Sequence, residues 1–289
     1  MAAVPFERID TDAAKLAPAN AILTVDDIVK RFETPDGVLT AVDHVSLSVA
    51  PGEFVGVIGP SGCGKSTLFN IIGGLLDGYD GTVKVAGERV RGPHPAIGMI
   101  FQEESTFPWR NVLDNVAFPL EIAGLPRAER YDRARHFVKL VGLDGFERRY
   151  PAELSGGMRQ RVSMARTLAA QPKILLMDEP FASLDEQTRL LLGDKVLHIQ
   201  QQLKQTTLLI THNITEAVQL SDRIVVMTYR PGKVKRMVEI KLPRPRSSEI
   251  VSSEAFGRYV AQIWSDLREE ASRGLDDEES RKLHEGEKR

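Results

Sequence analysis

The segment "EFVGVIGPSGCGKSTLFNIIGGLL" (53–76) constrains the fold of this chain more than any other. An apolar run of strand length enters a loop that satisfies G-x-x-x-x-G-K-[ST] through Gly59, Gly64, Lys65 and Ser66, and helical spacing begins at once. That order gives the loop its chemistry. Glycines let backbone N–H groups converge on phosphate, and the helix N-terminus adds partial positive charge. Lys65 reaches the β and γ oxygens and the Ser66 hydroxyl ligates Mg²⁺. Pro60, Ser61, Gly62, Cys63 and Thr67 complete the cradle for a nucleotide. The chain is therefore expected to build an α/β core around this strand. Cys63 is the single cysteine, which excludes an intrachain disulfide, and a maleimide adduct there is expected to obstruct the nucleotide.

Residues 1–20 read as a polar leader, in which Glu7, Asp10 and Asp12 interrupt any signal-peptide pattern. "AILTVDDIVKRF" and "LTAVDHVSLSVA" alternate as strands do, and "GTVKVAGERV" reads as a short hairpin. From about 104 to 168 the period becomes helical, before the strand-like runs "KILLMDEP" and "TLLITH". This predicts one domain over 21–246, a mostly parallel α/β core interrupted by a helical subdomain. Apolar residues at 42% supply enough material for such a core. Within 247–289, "SSEAFGRYVAQIWSDLREE" predicts an amphipathic helix with Trp264 on its apolar side, and the charged sequence from about 269 predicts disorder. No stretch approaches the roughly 18 uncharged apolar residues that cross a bilayer. A net charge of −2 offers no general basicity for nucleic acid, and none is expected as a partner.

Two further stretches carry chemistry. "ILLMDEP" (174–180) is four apolar residues followed by Asp178 and Glu179, the pattern of a buried parallel strand delivering carboxylates to the carboxyl edge of a sheet. Asp178 is expected to hold Mg²⁺ through its water shell, and Glu179 to polarise an attacking water. "LSGGMRQR" (154–161) places Ser155, Gly156 and Gly157 at the first turn of a helix, a second anion site well separated in sequence from the first.

Taken in order, "GPSGCGKST", Gln102 after an apolar strand, "LSGGMRQR", "ILLMDEP", "SLD" (183–185) and "TH" (211–212) resemble the ATP-binding cassette (ABC) ATPases over about residues 22–245. "FQEESTFPWRNVLDNVAFPLE", "DEPFASLDEQTR" and "THNITEAVQLSDRIVVMTYRPGKV" are similar to the nitrate/sulfonate/taurine group of bacterial importers. The chain departs from that group at Ala182-Ser183 and at Asn213, neither of which removes a catalytic group.

The resemblance implies a P-loop NTPase core with an N-terminal antiparallel β part and an inserted helical subdomain. It implies that ATP and Mg²⁺ are bound, that Phe32 stacks on adenine, and that Gln102 senses the γ-phosphate and the metal. His212 would position the water together with Glu179. Ser155, Gly156, Gly157 and Asp185 would act in trans, on ATP held by a second copy or a close paralogue. Transmembrane permease subunits would be partners, a solute-binding protein an indirect one, and the location the cytoplasmic face of the cell membrane. The solute, by analogy, is a small anion of the nitrate, sulfonate or taurine type. "FPWR" (107–110) is either a small satellite core or the place where a permease inserts its coupling helix. Two other functions stay open: a soluble ABC ATPase of DNA maintenance or translation, and the ATPase of a lipoprotein-release or export complex.

Overall fold

The computed structural model describes residues 20–286 other than 36, 104 and 183. Its centre is a six-stranded sheet in the order β10-β9-β3-β8-β7-β6. These strands are β3 (Phe54–Ile58), β6 (Ile97–Ile100), β7 (Ile174–Asp178), β8 (Thr206–Thr211), β9 (Arg223–Met227) and β10 (Val234–Glu239). All pair in parallel except the edge strand β10, which runs antiparallel to β9. Every residue of β3 and β8 is buried, as expected of parallel strands covered on both faces. The pleat then divides β7 and β8 between two cores. Leu175, Met177 and Leu209 join one apolar cluster, while Ile174, Leu176, Leu208 and Ile210 join the other.

The first cluster lies against α2 (Val112–Ile122), α3 (Arg127–Leu140), α4 (Gly156–Ala169) and α5 (Glu186–Leu203). The first three sit between β6 and β7 in sequence, where the helical period appears. The second cluster is roofed by α1 (Lys65–Ile72) and by an antiparallel sheet in the order β2-β1-β4-β5. That sheet comprises β1 (Leu23–Thr34), β2 (Gly37–Val49), β4 (Asp80–Val85) and β5 (Glu88–Arg89), so the antiparallel part and the short hairpin fall where alternation places them. A third cluster joins α6 (Ile214–Leu220) and β9–β10 to α7 (Glu254–Gly286). Among the described residues no helix is long and apolar enough to cross a membrane.

Two expectations fail at the C-terminus. The chain does not leave the helix near 269, because α7 continues to Gly286. The first charges of this stretch are partnered: Glu270 is 1% exposed and ion-pairs with Lys235 at 2.8 Å, and Arg273 pairs with Glu269 one turn away at 3.0 Å. Nor is Trp264 on the apolar face, for it is 58% exposed while its neighbour Ile263 is fully buried. Adjacent helical residues point about 100° apart, so only one of the two can face the core that Phe256 and Ile263 occupy.

Candidate active site

The carboxyl ends of β3, β7 and β8 are level, with Ile58 opposite Thr211 and Asp178 opposite Ile210. Whatever follows these strands therefore meets at one edge of the sheet. After β3 comes the loop 59–64, with Gly62 and Gly64 in the left-handed region (φ 72° and 95°). Gly64 is required twice, since a Cβ there would also stand 2.5 Å from the carbonyl oxygen of Ala41. It caps α1 without a side-chain bond, so the first amides of the helix stay open to an anion. Lys65 is buried, and its Nζ donates to the carbonyls of Gly59 (2.8 Å) and Pro60 (2.9 Å). Ser61 and Ser66 are exposed and Thr67 is half-buried.

Cys63 does not behave as a handle on this loop. It is fully buried, and burial pushes its thiol up despite the nearby Lys65 ammonium. Maleimide, which needs an accessible thiolate, is expected to label the folded chain far more slowly than the denatured one. A mass shift complete within minutes under native conditions would contradict that burial.

β7 delivers its two acids differently. Asp178 Oδ1 is 3.4 Å from Ser66 Oγ, and burial raises its carboxyl above the ordinary range. Glu179 takes φ 45°, a left-handed conformation that costs a non-glycine residue about 1–2 kcal/mol. Its N–H is tied to the carbonyl of Ile210 at 2.9 Å, and the turn aims its Oε2 at Nδ1 of His212, 3.0 Å away. Strain at such a position is characteristic of a site held for a function.

His212 is exposed, but its neighbours are locked. Thr211 Oγ1 donates to Glu216 Oε2 (2.8 Å) and accepts from the N–H of Asn213 (2.9 Å). Asn213 Oδ1 in turn accepts from the N–H of Glu216 (2.9 Å), capping α6. The cap needs only an acceptor oxygen, so Asn serves here. Among the described residues Glu216 Oε1 is buried without a hydrogen-bond partner, and burial pushes this carboxyl up to about 7. A folded-state pKa above the unfolded one means a contribution to stability fully present below the unfolded value of 4.5 and lost as pH rises through about 7. Thermal melts should therefore show a fall of roughly 1–3 kcal/mol in stability from about pH 5 to about pH 8 that Glu216→Gln removes. An equal pH slope in both proteins would exclude this source.

The other predicted group lies in a separate cleft of about 440 Å³ lined by Ser155, Gly156, Gly157, Asp185, Thr188 and Lys195 among others, and by no residue of the 59–67 loop. Ser155 and Asp185 are both helix N-caps, accepting from the N–H groups of Met158 (3.4 Å) and Thr188 (2.9 Å). The cleft thus has two helix N-termini on its walls.

Comparison with known proteins completes the picture. Residues 42–182 match the ABC transporter domain family. An uncharacterized ABC transporter ATP-binding protein of Methanocaldococcus jannaschii is 46% identical over 92% of this chain and 98% of its own. The chain belongs to the ABC transporter ATP-binding family. The aliphatic sulfonates import ATP-binding protein SsuB of Bacillus cereus is 43% identical over 83% of this chain and 94% of its own. The nitrate import ATP-binding protein NrtD of Synechocystis is 42% identical over 85% and 95%. Among solved structures, a dimeric ATP-binding cassette in a post-hydrolysis state with ADP and phosphate superposes with a TM-score of 0.67. It is 30% identical, and the match covers 76% of this chain and 100% of that one.

As an ABC ATPase, the chain binds and hydrolyses ATP. In this cassette Lys65, Ser66, Asp178, Glu179 and His212 share one sheet edge, whereas Ser155–Gly157 and Asp185 share the other cleft. Gln102 is exposed two residues beyond β6, at the end where Ile100 pairs with Met177 of β7. Phe32 is half-buried on β1, with the Lys30 ammonium 4.9 Å from its ring. Residue-by-residue reading missed Glu216 and also Arg230, whose Nε donates to the carbonyl of Gly62 at 2.9 Å. Both stand inside "THNITEAVQLSDRIVVMTYRPGKV", which carries the resemblance but assigns neither residue a role.

Proposed function

We propose that this cassette is the ATPase of an importer for a small oxidised anion, working as an ATP-closed pair on separate permease subunits. The observation that carries the pairing is the separation of the two clefts. The turn at Ser155–Gly157 offers helix N-termini to an anion that the 59–67 loop of the same chain does not present to it. A second copy supplies that anion, and the similar cassette described above is itself dimeric. Each ATP would lie between the loop of one chain and Ser155, Gly156, Gly157 and Asp185 of the other, with Phe32 stacking on adenine.

Within one site, Lys65 exchanges the carbonyls of Gly59 and Pro60 for the β and γ oxygens. Glu179 accepts a proton from the attacking water, and His212 holds the Glu179 carboxylate and the γ-phosphate in line. The residues fit a hard cation: Ser66 Oγ and Asp178 Oδ1 stand together, and Asp178 is a buried carboxyl that a positive charge would relieve. Ser66, Asp178 and Gln102 would hold Mg²⁺, which when bound neutralises charge on the β and γ phosphates.

The permease surface is proposed at "FPWR". Trp109 is 72% exposed, stacked on Phe107 at 5.5 Å. The loop is braced by fully buried Asn115, which accepts from the N–H of Phe107 and donates to the carbonyls of Phe107, Arg110 and Asn111. A rigid loop carrying an exposed tryptophan suits a partner that supplies the missing apolar contact. Such docking would place the chain on the cytoplasmic face of the membrane, with a solute-binding protein acting on the far side of the permease. Trp109→Glu is expected to abolish co-purification with permease subunits while ATP binding by the isolated chain persists. Retained co-purification would remove this surface.

The import reading rests on the relatives named for sulfonate and nitrate import. A strain lacking the gene should lose growth on either an alkanesulfonate as sole sulfur source or nitrate as sole nitrogen source, and keep growth on sulfate and ammonium. Unchanged growth on all four would overturn it.

A further inference from the structure

We propose that Arg230 is a positioning residue for the phosphate loop, and that the C-terminal helix α7 holds Arg230 in place. The inference rests on the assignment of Gly59–Thr67 as the loop that cradles ATP.

Residues 228–233, between β9 and β10, form a turn closed on itself. Thr228 Oγ1 donates to the carbonyl of Pro231 (2.7 Å) and accepts from the N–H of Lys233 (2.9 Å). The turn leans on the phosphate loop at two points. Arg230 Nε binds the Gly62 carbonyl, and its guanidinium lies so close that a Cβ on Gly62 would stand 2.9 Å from Nη2. Gly232 donates its N–H to the Ala41 carbonyl (3.1 Å), and any Cβ on it would run into the Cys63 carbonyl oxygen. Ala41 is also the residue that forbids a Cβ on Gly64. Loop, β2 and turn are therefore in backbone-to-backbone contact.

Engaging the Gly62 carbonyl matters because that oxygen and the N–H of Cys63 belong to one rigid peptide unit. A cation on the oxygen fixes the plane of the unit and so the direction of the N–H, which here donates to the carbonyl of Pro60 (3.4 Å) and closes the curl of the loop from which the neighbouring amides point. In an anion cradle built from backbone dipoles, that orientation sets affinity.

The opposite side of the turn is gripped by α7. Glu270 ties the start of the turn to the strand that follows it, accepting from the N–H of Tyr229 (2.9 Å) with Oε2 and from Lys235 Nζ of β10 (2.8 Å) with Oε1. Lys235 also reaches the carbonyl of Asp266 (3.0 Å). Gly274 gives the Tyr229 ring its place, since a Cβ there would lie 3.0 Å from the ring. α7 thus restrains the residue immediately before Arg230 and the strand that leads away from it. A displacement of residues 266–274 would be felt at Gly62, which makes α7 a lever on nucleotide affinity and not on the chemical step.

The test measures binding of a fluorescent ATP analogue and steady-state ATP hydrolysis on the full chain. Arg230→Ala, at an exposed position, is expected to weaken nucleotide binding and raise KM about 5–10-fold, with kcat at saturation within about two-fold, the size of a modest coupling between sites. Arg230→Lys, which keeps a donor for the Gly62 carbonyl, should recover most of the loss. Glu270→Gln should shift affinity in the same direction, but should add nothing in the Arg230→Ala background because it acts through that residue. Purely structural damage by Glu270→Gln would instead appear equally in both backgrounds, and that result overturns the role of α7. Lys65→Ala is the control. If it loses nucleotide while Arg230→Ala binds like the native chain, the Arg230 proposal is wrong. If Lys65→Ala also binds normally, the loop assignment itself is wrong.

Discussion

Glu179→Gln is expected to bind ATP as the native chain does and to lose about 10²–10⁴-fold in turnover, the contribution of a positioned general base. The substitution is nearly isosteric, and the side-chain amide oxygen can still meet Nδ1 of His212, which the carboxylate reaches at 3.0 Å. The left-handed turn at φ 45° and the bond from its N–H to Ile210 are backbone features that the change leaves alone. Only the capacity to accept a proton from water disappears. Lys65, the α1 amides and Ser66 are untouched, so affinity has no reason to fall. Filter binding of ATP together with phosphate release at saturating ATP checks both halves. Turnover within about two-fold of the native chain would take the role of base away from Glu179.

What made this prediction possible was local. A strand whose side chains are apolar on both faces, followed by two acids, can place those acids at only one edge of a parallel sheet, and the pairing of Asp178 with Ile210 shows them there. The loop at 59–67, the helices between β6 and β7, and the helix start at Ser155–Gly157 were legible for the same reason: their signals lie within a few residues of the structure they specify. Features that depend on distant partners were not. Residues near 269 look like a solvated tail until Lys235 is placed 35 positions away from Glu270, at the end of a sheet that sequence alone does not orient. Trp264 looks like the apolar residue of its helix because it is the larger of two neighbours, yet the face is chosen by where Phe256 and β10 stand. Burial of Cys63 likewise follows from the roof over α1, which its own loop does not encode.

The second large effect concerns Ser155→Arg. As N-cap of α4, Ser155 contributes about 1 kcal/mol to its helix, too little for its loss to unfold a domain with three apolar clusters. An arginine would fill the mouth of the cleft shared with Asp185 and block an anion from the helix N-terminus. The altered chain should bind nucleotide normally, because no residue of the 59–67 loop lines that cleft. It should nevertheless lose about 10²–10³-fold in hydrolysis, as when a preorganised electrostatic contact to the reacting group is removed.

Mixing then separates a site completed within one chain from one completed by a partner. In the paired arrangement, a dimer of one Ser155→Arg chain and one Lys65→Ala chain holds one site with both lesions and one with neither. Two inactive proteins should therefore regain ATPase activity when mixed, provided the two sites fire independently. If both sites must close together, that mixture stays silent, but Ser155→Arg added to native protein must depress activity below the share of native chains. One of these two results has to appear. Proportional dilution with native protein, together with no recovery against Lys65→Ala, would mean that each chain completes its own site, and the pairing proposal would fall.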